Sequence, residues 1–352
     1  MNPKPPSSSE GAPIDGPRPR VLVVDDSAPL RAAIAEVLEE GGCDVVGRAM
    51  DGSMALRMMM ETDPDVITCD LEMPRMDGFT FLRILQTMKP TPVIVITSDA
   101  RPEAALMALE LGARDFVVKP GRAGDVHRLR HQLVARVHAL TAQRAKPTPT
   151  WTAPGDVALP RAAMLVAIGS STGGPRALRD ILAALRAPPR LPVVIAQHMP
   201  PRFTEAFAAR LGRTTGLDVA EAHDGDVLRP GTVRIAPGGK HLRVESADSG
   251  FRARVLDPDP GDRWVPGVDQ LLESAAAAAG KGVLGIVLTG MGKDGFEGAR
   301  ALRAVGAPLW AEAALTATVD GMPNASALGH GAAERIPLDE LAALLARLLS
   351  PA

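Results

Sequence analysis

Short apolar runs alternate with helical stretches along most of the chain. In the first part the runs are Arg20–Val24, Cys43–Ala49, Val66–Cys69, Val93–Thr97 and Asp115–Val118, and they read as strands. Between them lie segments such as "APLRAAIAEVLEEGG", with Leu and Ile at helical spacing and glycines at the stop. This alternation predicts a parallel sheet covered on both faces. The pattern lapses in "TAQRAKPTPTWTAPGDVALP", which has Pro, Thr and Ala without a period. That stretch predicts an interdomain linker over 139–160, preceded by the helix "DVHRLRHQLVARVHAL". The alternation then resumes with Met164–Ile168, Val193–Gln197, Val233–Ala236 and Val283–Thr289, and closes on the helical "LDELAALLARLL". The alanine run "ESAAAAAG" fits a helix end. The expected fold class is α/β in two domains, 19–138 and 161–350, the second doubly wound and mostly parallel. Residues 1–18, rich in Pro, Ser and Gly, predict a disordered tail.

Composition narrows the function classes. The 352 residues are 46% hydrophobic with a formal net charge of −2, which argues against general nucleic-acid binding. No apolar run is long enough to span a bilayer, and the N-terminal stretch has no signal-peptide core, so a cytoplasmic protein without membrane insertion is expected. Cys43 and Cys69 are the only cysteines, lack metal-ligand spacing and read as reduced thiols. There is no tyrosine, which excludes a tyrosine nucleophile.

Candidate chemistry falls at strand ends. Asp25 and Asp26 end the first strand, Asp70 the third and Thr97 the fourth, while Lys119 follows the fifth. Parallel strands bring all of these to one carboxyl edge, where open α/β sheets bind ligands. Three carboxylates converging there call for a cation, and oxygen-only ligands favour Mg²⁺. With a hydroxyl and a lysine to hold phosphoryl oxygens, the set reads as a phosphoryl-transfer site in which one aspartate accepts the group. The alternative is that each Asp merely caps its turn.

In the second domain "VAIGSSTGGPRALRDIL" breaks an apolar run with a glycine-serine knot and then opens a helix. The knot fits a phosphate cradle, although it lacks the P-loop and GxGxxG spacings. It also fits a tight strand-to-helix turn with Gly169 in an unusual dihedral and Pro175 at the first helical position. In the third reading it is a nucleophile elbow, G-x-S-x-G, that presents Ser171 at a helix start where free N–H groups can stabilise an oxyanion. A serine nucleophile needs a base. His198 follows the strand in "LPVVIAQHMPPRFT", and Asp294 lies in the exit loop of "GVLGIVLTGMGKDG". His223 in "EAHDGD" reads as a solvated residue, His241 as part of a turn, and His330 sits between glycines.

The motifs "VLVVDDSAPLR", "PDVITCDLEMPRMDG", "VIVITS" and "GARDFVVKP" resemble the flavodoxin-like receiver domain of bacterial response regulators. The resemblance implies that Asp70 is the phosphoacceptor, that Asp25 and Asp26 help hold Mg²⁺, that Thr97 and Lys119 contact the phosphoryl group, and that Phe116 is the switch aromatic. It also implies a histidine kinase as phosphodonor. "AIGSSTGGP", "AQHMPPRFT", "LTGMGKDG" and "DGMP" resemble the catalytic domain of the CheB family, the chemotaxis protein-glutamate methylesterases. That likeness implies Ser171 as nucleophile, His198 as base and Asp294 as its partner, with Thr172 and Met291 lining the site. It further implies hydrolysis of glutamate γ-methyl esters on chemoreceptors, deamidation of receptor glutamines, a kinase of the CheA type, and no cofactor for ester hydrolysis. Two segments depart from the family pattern. Trp264-Val265-Pro266-Gly267 stands where a His-Arg-Pro-Ser run is common, and Asp320 stands where an aromatic residue often precedes "GMP". A receptor-like substrate of another signalling system is therefore a second reading. A phosphorylation-controlled binding protein with an inert esterase fold is a third. The intact trio counts against that one.

Overall fold

The structure is a computed structural model that describes residues 17–98, 101–119, 126–144, 157–248 and 250–350. Nearly all of the expected tail and most of the expected linker lie outside them.

The first sheet has β1 (Arg20–Val24), β2 (Asp44–Ala49), β3 (Val66–Asp70), β4 (Val93–Thr97) and β5 (Asp115–Val118) in the order β2-β1-β3-β4-β5, every pairing parallel. Five helices accompany it: α1 (Ala28–Glu40), α2 (Gly52–Thr62), α3 (Gly78–Met88), α4 (Pro102–Glu110) and α5 (Val126–Arg144). β3 and β4 are buried throughout, as strands covered on both faces must be. Helix starts follow local chemistry. Asp51 caps α2 by accepting from Met54 N at 2.8 Å, and Asp77 caps α3 by accepting from Thr80 N at 2.7 Å. α5 continues to Arg144, past the boundary expected at 138, because "TAQR" contains no helix breaker and Thr141 Oγ1 back-bonds to Val137 O.

The second sheet contains β6 (Leu165–Ser170), β7 (Val193–Gln197), β8 (Asp218–Glu221), β10 (Thr232–Ile235), β13 (Val283–Val287), β14 (Leu309–Glu312) and β15 (Glu334–Ile336). Their order is β15-β14-β13-β6-β7-β10-β8, again with every pairing parallel. Chain order reverses between β6 and β13, so the topological switch point lies at their carboxyl ends. A small antiparallel sheet joins the hairpin β11 (His241–Ala247) and β12 (Gly250–Leu256), inserted between β10 and helix α8 (Val268–Ala279), to β9 (Val227–Leu228), which precedes β10, and β11 packs on α8. The remaining helices are α6 (Gly174–Ala183), α7 (Phe203–Thr215), α9 (Phe296–Ala304), α10 (Gly321–His330) and α11 (Leu338–Leu349). Among the described residues no helix is long and apolar enough to cross a membrane.

The two units share packing. One apolar cluster runs from Val95 and Phe116 of the first sheet through Phe203 and Phe207 of α7 to Ile168 of β6. Phe116 stacks on Phe203 with centroids 4.7 Å apart and planes at 18°. At the rim Glu110 of α4 and Arg210 of α7 form a two-bond ion pair. That bond holds the carboxyl below its usual range and the guanidinium above its own.

Candidate active site

At the carboxyl edge of the first sheet Asp25, Asp26 and Asp70 bring carboxylate oxygens within 4.8 Å of one another. Asp25 and Asp70 are buried and Asp26 is exposed. Lys119 Nζ donates to Asp70 Oδ2 at 2.6 Å and lies 3.5 Å from Asp25 Oδ2. Burial raises the Asp25 carboxyl above its ordinary value, and Asp70 adds to this against the pull of Lys119. Burial alone would lower the Lys119 ammonium, but the two carboxylates outweigh it and hold it above its ordinary value. Asp25 Oδ2 is buried without a hydrogen bond. An orphaned carboxylate oxygen within an all-oxygen set is what a hard divalent cation fits. Thr97 is buried at the carboxyl end of β4. Phe116 is buried and turned into the junction with the second unit.

In the second unit the knot forms the strand-to-helix turn from β6 into α6. The left-handed residue is Gly173, at φ +80, and not Gly169, which stays in β6. Gly169 is needed for a different reason: a Cβ there would meet Val268 Cγ1 at 2.2 Å. Ser171 is half-exposed at the turn. Its N–H donates to Thr289 O at 3.0 Å, so the nucleophile candidate's own amide is committed and is not a free oxyanion donor.

His198 leaves β7 beside this turn, its N–H donating to Ser170 O at 3.0 Å. Its Nε2 bonds Asp294 Oδ2 at 2.7 Å, while its Nδ1 is buried without a hydrogen-bond partner. Ser171 Oγ is not bonded to the imidazole. Asp294 is 2% exposed, and its carboxylate also accepts from Val268 N at 2.8 Å and Asp269 N at 2.9 Å. Burial alone would raise its pKa, but the imidazole and these N–H groups prevail and hold it below its ordinary value. Asp269 shifts the opposite way, upward, chiefly through burial and with Asp294 as a like-charged neighbour. One buried carboxylate is thus kept ionised against the imidazole while the next is driven toward its neutral form.

Gln197, which the sequence patterns did not single out, ties the site together. Gln197 Nε2 donates to Ser171 O at 3.0 Å and His198 O at 3.1 Å, and its Oε1 accepts from Ser170 Oγ at 2.7 Å. One amide therefore ties the serine turn to the histidine loop, and it leaves Ser170 in a supporting role. Trp264 lies flat against His198, with centroids 5.4 Å apart and planes at 1°. Thr172 is buried, and its Oγ1 donates to Asp115 Oδ2 of β5 at 2.7 Å, a hydrogen bond from the serine turn into the first unit. Met291 is half-buried and packs against an apolar cluster that holds Val319 of its own unit together with Val21, Leu133 and Val137 of the first. His223 is exposed, as expected. His241 is buried at the start of β11, not part of a turn, and His330 is buried at the end of α10 with Nε2 against Ala307 O. The Asp320 carboxylate pairs with Arg335 of β15.

A five-stranded parallel sheet with an acidic edge and a lysine, packed on a second α/β unit with serine, histidine and aspartate near its switch point, defines a response regulator with an enzymatic output domain. Residues 21–130 match the response regulator receiver domain and residues 166–345 match the CheB methylesterase. The chain belongs to the CheB methylesterase family. It is 44% identical to protein-glutamate methylesterase/protein-glutamine glutaminase 1 of Myxococcus xanthus over 93% of this chain and 96% of that one. It is 42% identical to protein-glutamate methylesterase/protein-glutamine glutaminase 2 of Pseudomonas aeruginosa over 92% of this chain and 95% of that one. Among solved structures, the CheB methylesterase catalytic domain of Thermotoga maritima matches with a TM-score of 0.51 and 37% identity, covering 53% of this chain and 99% of that domain.

Proposed function

We propose that this chain hydrolyses glutamate γ-methyl esters on chemoreceptors and deamidates selected receptor glutamines, through an acyl-enzyme on Ser171. The observation that carries this reading is the state of His198. Its Nε2 is held by a buried carboxylate at 2.7 Å, its Nδ1 is buried with no hydrogen-bond partner, and its backbone N–H meets Ser170 O of the serine turn at 3.0 Å. Asp294 fixes the tautomer with the proton on Nε2, so Nδ1 is the basic atom. Nδ1 takes the proton of Ser171 as Oγ attacks the side-chain carbonyl. It returns that proton to the departing methanol or ammonia, and then activates water against the acyl-enzyme. Both reactions are acyl transfers to water, so one site serves both. Ester hydrolysis in this scheme uses only side chains.

The receiver regulates this site. Asp70 accepts a phosphoryl group from a histidine kinase of the chemotaxis type, in the cytoplasm. Mg²⁺ held by Asp25, Asp26 and Asp70 supplies charge neutralisation when bound. Lys119 then exchanges its bond to Asp70 for phosphoryl oxygens, and Thr97 donates to another. The unphosphorylated receiver restrains the esterase through Asp115 on Thr172, Phe116 on Phe203, and an apolar cluster that joins Val319 to the receiver core. Mass spectrometry of methylated receptor peptides tests the reaction. Loss of methyl and Gln-to-Glu conversion with the wild type, and neither with Ser171→Ala, is the expected result. Conversion by Ser171→Ala would refute the nucleophile.

A further inference from the structure

Trp264 occupies a place in the site that no step above uses. Its indole lies parallel to the His198 imidazole, with planes at 1° and centroids 5.4 Å apart. Space for it comes from Gly292, where a Cβ would stand only 3.1 Å from Trp264 Cζ2. The Arg263 guanidinium covers the indole at 5.1 Å from its centroid.

The segment bearing this indole is pinned on both sides. Before it, Asp262 Oδ2 bonds His241 Nε2 at 2.9 Å and accepts from Asp259 N at 2.8 Å. After it, Gly267 N donates to His241 Nδ1 at 3.0 Å. Nδ1 is therefore the acceptor, and the proton of His241 sits on Nε2, toward Asp262. One step further on, Val268 N donates to Asp294 Oδ2, the atom that also bonds His198 Nε2. Imidazole and indole are thus registered to the same carboxylate.

A single hydrogen bond at Nε2 leaves the imidazole free to rock about that contact. Rocking turns Nδ1 without breaking the bond to Asp294. A parallel aromatic face held by its own loop removes that freedom. We propose that Trp264 is a positioning residue for the base: stacking fixes the plane of His198 so that its free Nδ1 faces Ser171. This rests on the reading of Ser171 and His198 as nucleophile and base. The tryptophan lies within the segment that departs from the family pattern, so this chain fixes its base with a side chain of its own.

Labelling of Ser171 by a fluorophosphonate in the full-length protein tests the proposal, because that probe needs an activated serine and no receptor. Trp264→Ala and Trp264→Leu, the second keeping apolar bulk in the loop, should label about tenfold more slowly, while Trp264→Phe stays within about threefold of wild type. With a methylated receptor peptide the loss should fall on kcat and leave KM unchanged. In histidine-labelled protein the His198 ring resonances should carry an upfield ring-current shift that disappears in Trp264→Leu and persists in Trp264→Phe. Wild-type labelling rates in Trp264→Leu, or an unchanged His198 resonance, would overturn the proposal. A probe that labels a residue other than Ser171 in the wild type would instead overturn the reading on which it rests.

Discussion

At the receiver edge Asp25, Asp26 and Asp70 crowd their oxygens within 4.8 Å, with one lysine to offset them. At the esterase edge the carboxylate touching the imidazole, Asp294, accepts from two backbone N–H groups as well as from His198. The first arrangement leaves charge unsatisfied, and the second satisfies it completely. On the proposed reading the first site takes up a cation and a phosphoryl group, and it is left incomplete, with Asp25 Oδ2 lacking a hydrogen bond. On the proposed reading the second site holds one proton-transfer geometry: it is closed around its anion and leaves His198 Nδ1 without a partner. Reversible charging and preorganised catalysis thus ask opposite things of the same residue type.

Breaking the closed site should have the largest effect. Ser171→Ala is expected to lower methanol release by about 10³-fold or more, read by a coupled methanol assay. Asp294→Asn should cost about 10³-fold in kcat, because the amide can stabilise the wrong imidazole tautomer. Binding of a fluorescent receptor peptide by that variant should remain at the wild-type level.

A third test contrasts Asp294 with Glu312, the other deeply buried carboxyl of the esterase unit. Glu312 accepts from Thr289 N at 2.8 Å, but its Oε1 is unpartnered, and burial raises it from 4.5 to about 7. The folded protein therefore holds the Glu312 proton more tightly than the unfolded chain does. That contribution is complete below about pH 4.5 and is lost as pH rises through about 7. Glu312→Gln should flatten the stability profile across this window by up to about 3 kcal/mol, measured by urea unfolding at several pH values. Asp294, whose pKa is depressed, acts in the reverse sense, and its contribution is lost as pH falls through its lowered value.

The smallest change concerns the junction. Asp115→Asn keeps a polar side chain in place but weakens the bond to Thr172, which Asp115 Oδ2 holds together with Arg136, and should raise the unphosphorylated chain's methanol release up to about fivefold. An unchanged basal rate would place the restraint in the apolar contacts instead.

Much of this was legible in the sequence because it rests on strand ends. β1 and β4 have the bounds their apolar runs predicted, and Asp70, Thr97 and Lys119 stand at the edge where parallel order puts them. The expected closeness of His198 and Asp294 follows from the same logic across three strands. Unread elements lacked that signal. β15 is only "ERI", and the Leu309–Glu312 strand runs directly into "AEAALTATV", whose alanines show no strand period. The hairpin of β11 and β12 is the exception: Leu242, Val244, Phe251 and Ala253 alternate with Arg and Glu, so its strand period was there to be read. Trp264 against His198 and Thr172 against Asp115 are approaches between distant segments, and no local periodicity encodes them.

The central claim is that phosphorylation at the incomplete site governs a serine nucleophile at the closed one. Methanol release from methylated receptor, measured for the full chain with and without acetyl phosphate and Mg²⁺, tests it most directly. The account predicts slow release by the untreated wild type, faster release after phosphorylation, no stimulation in Asp70→Asn, and none above background in Ser171→Ala under either condition. Equal rates with and without the phosphodonor in the wild type, or release by Ser171→Ala, would contradict it.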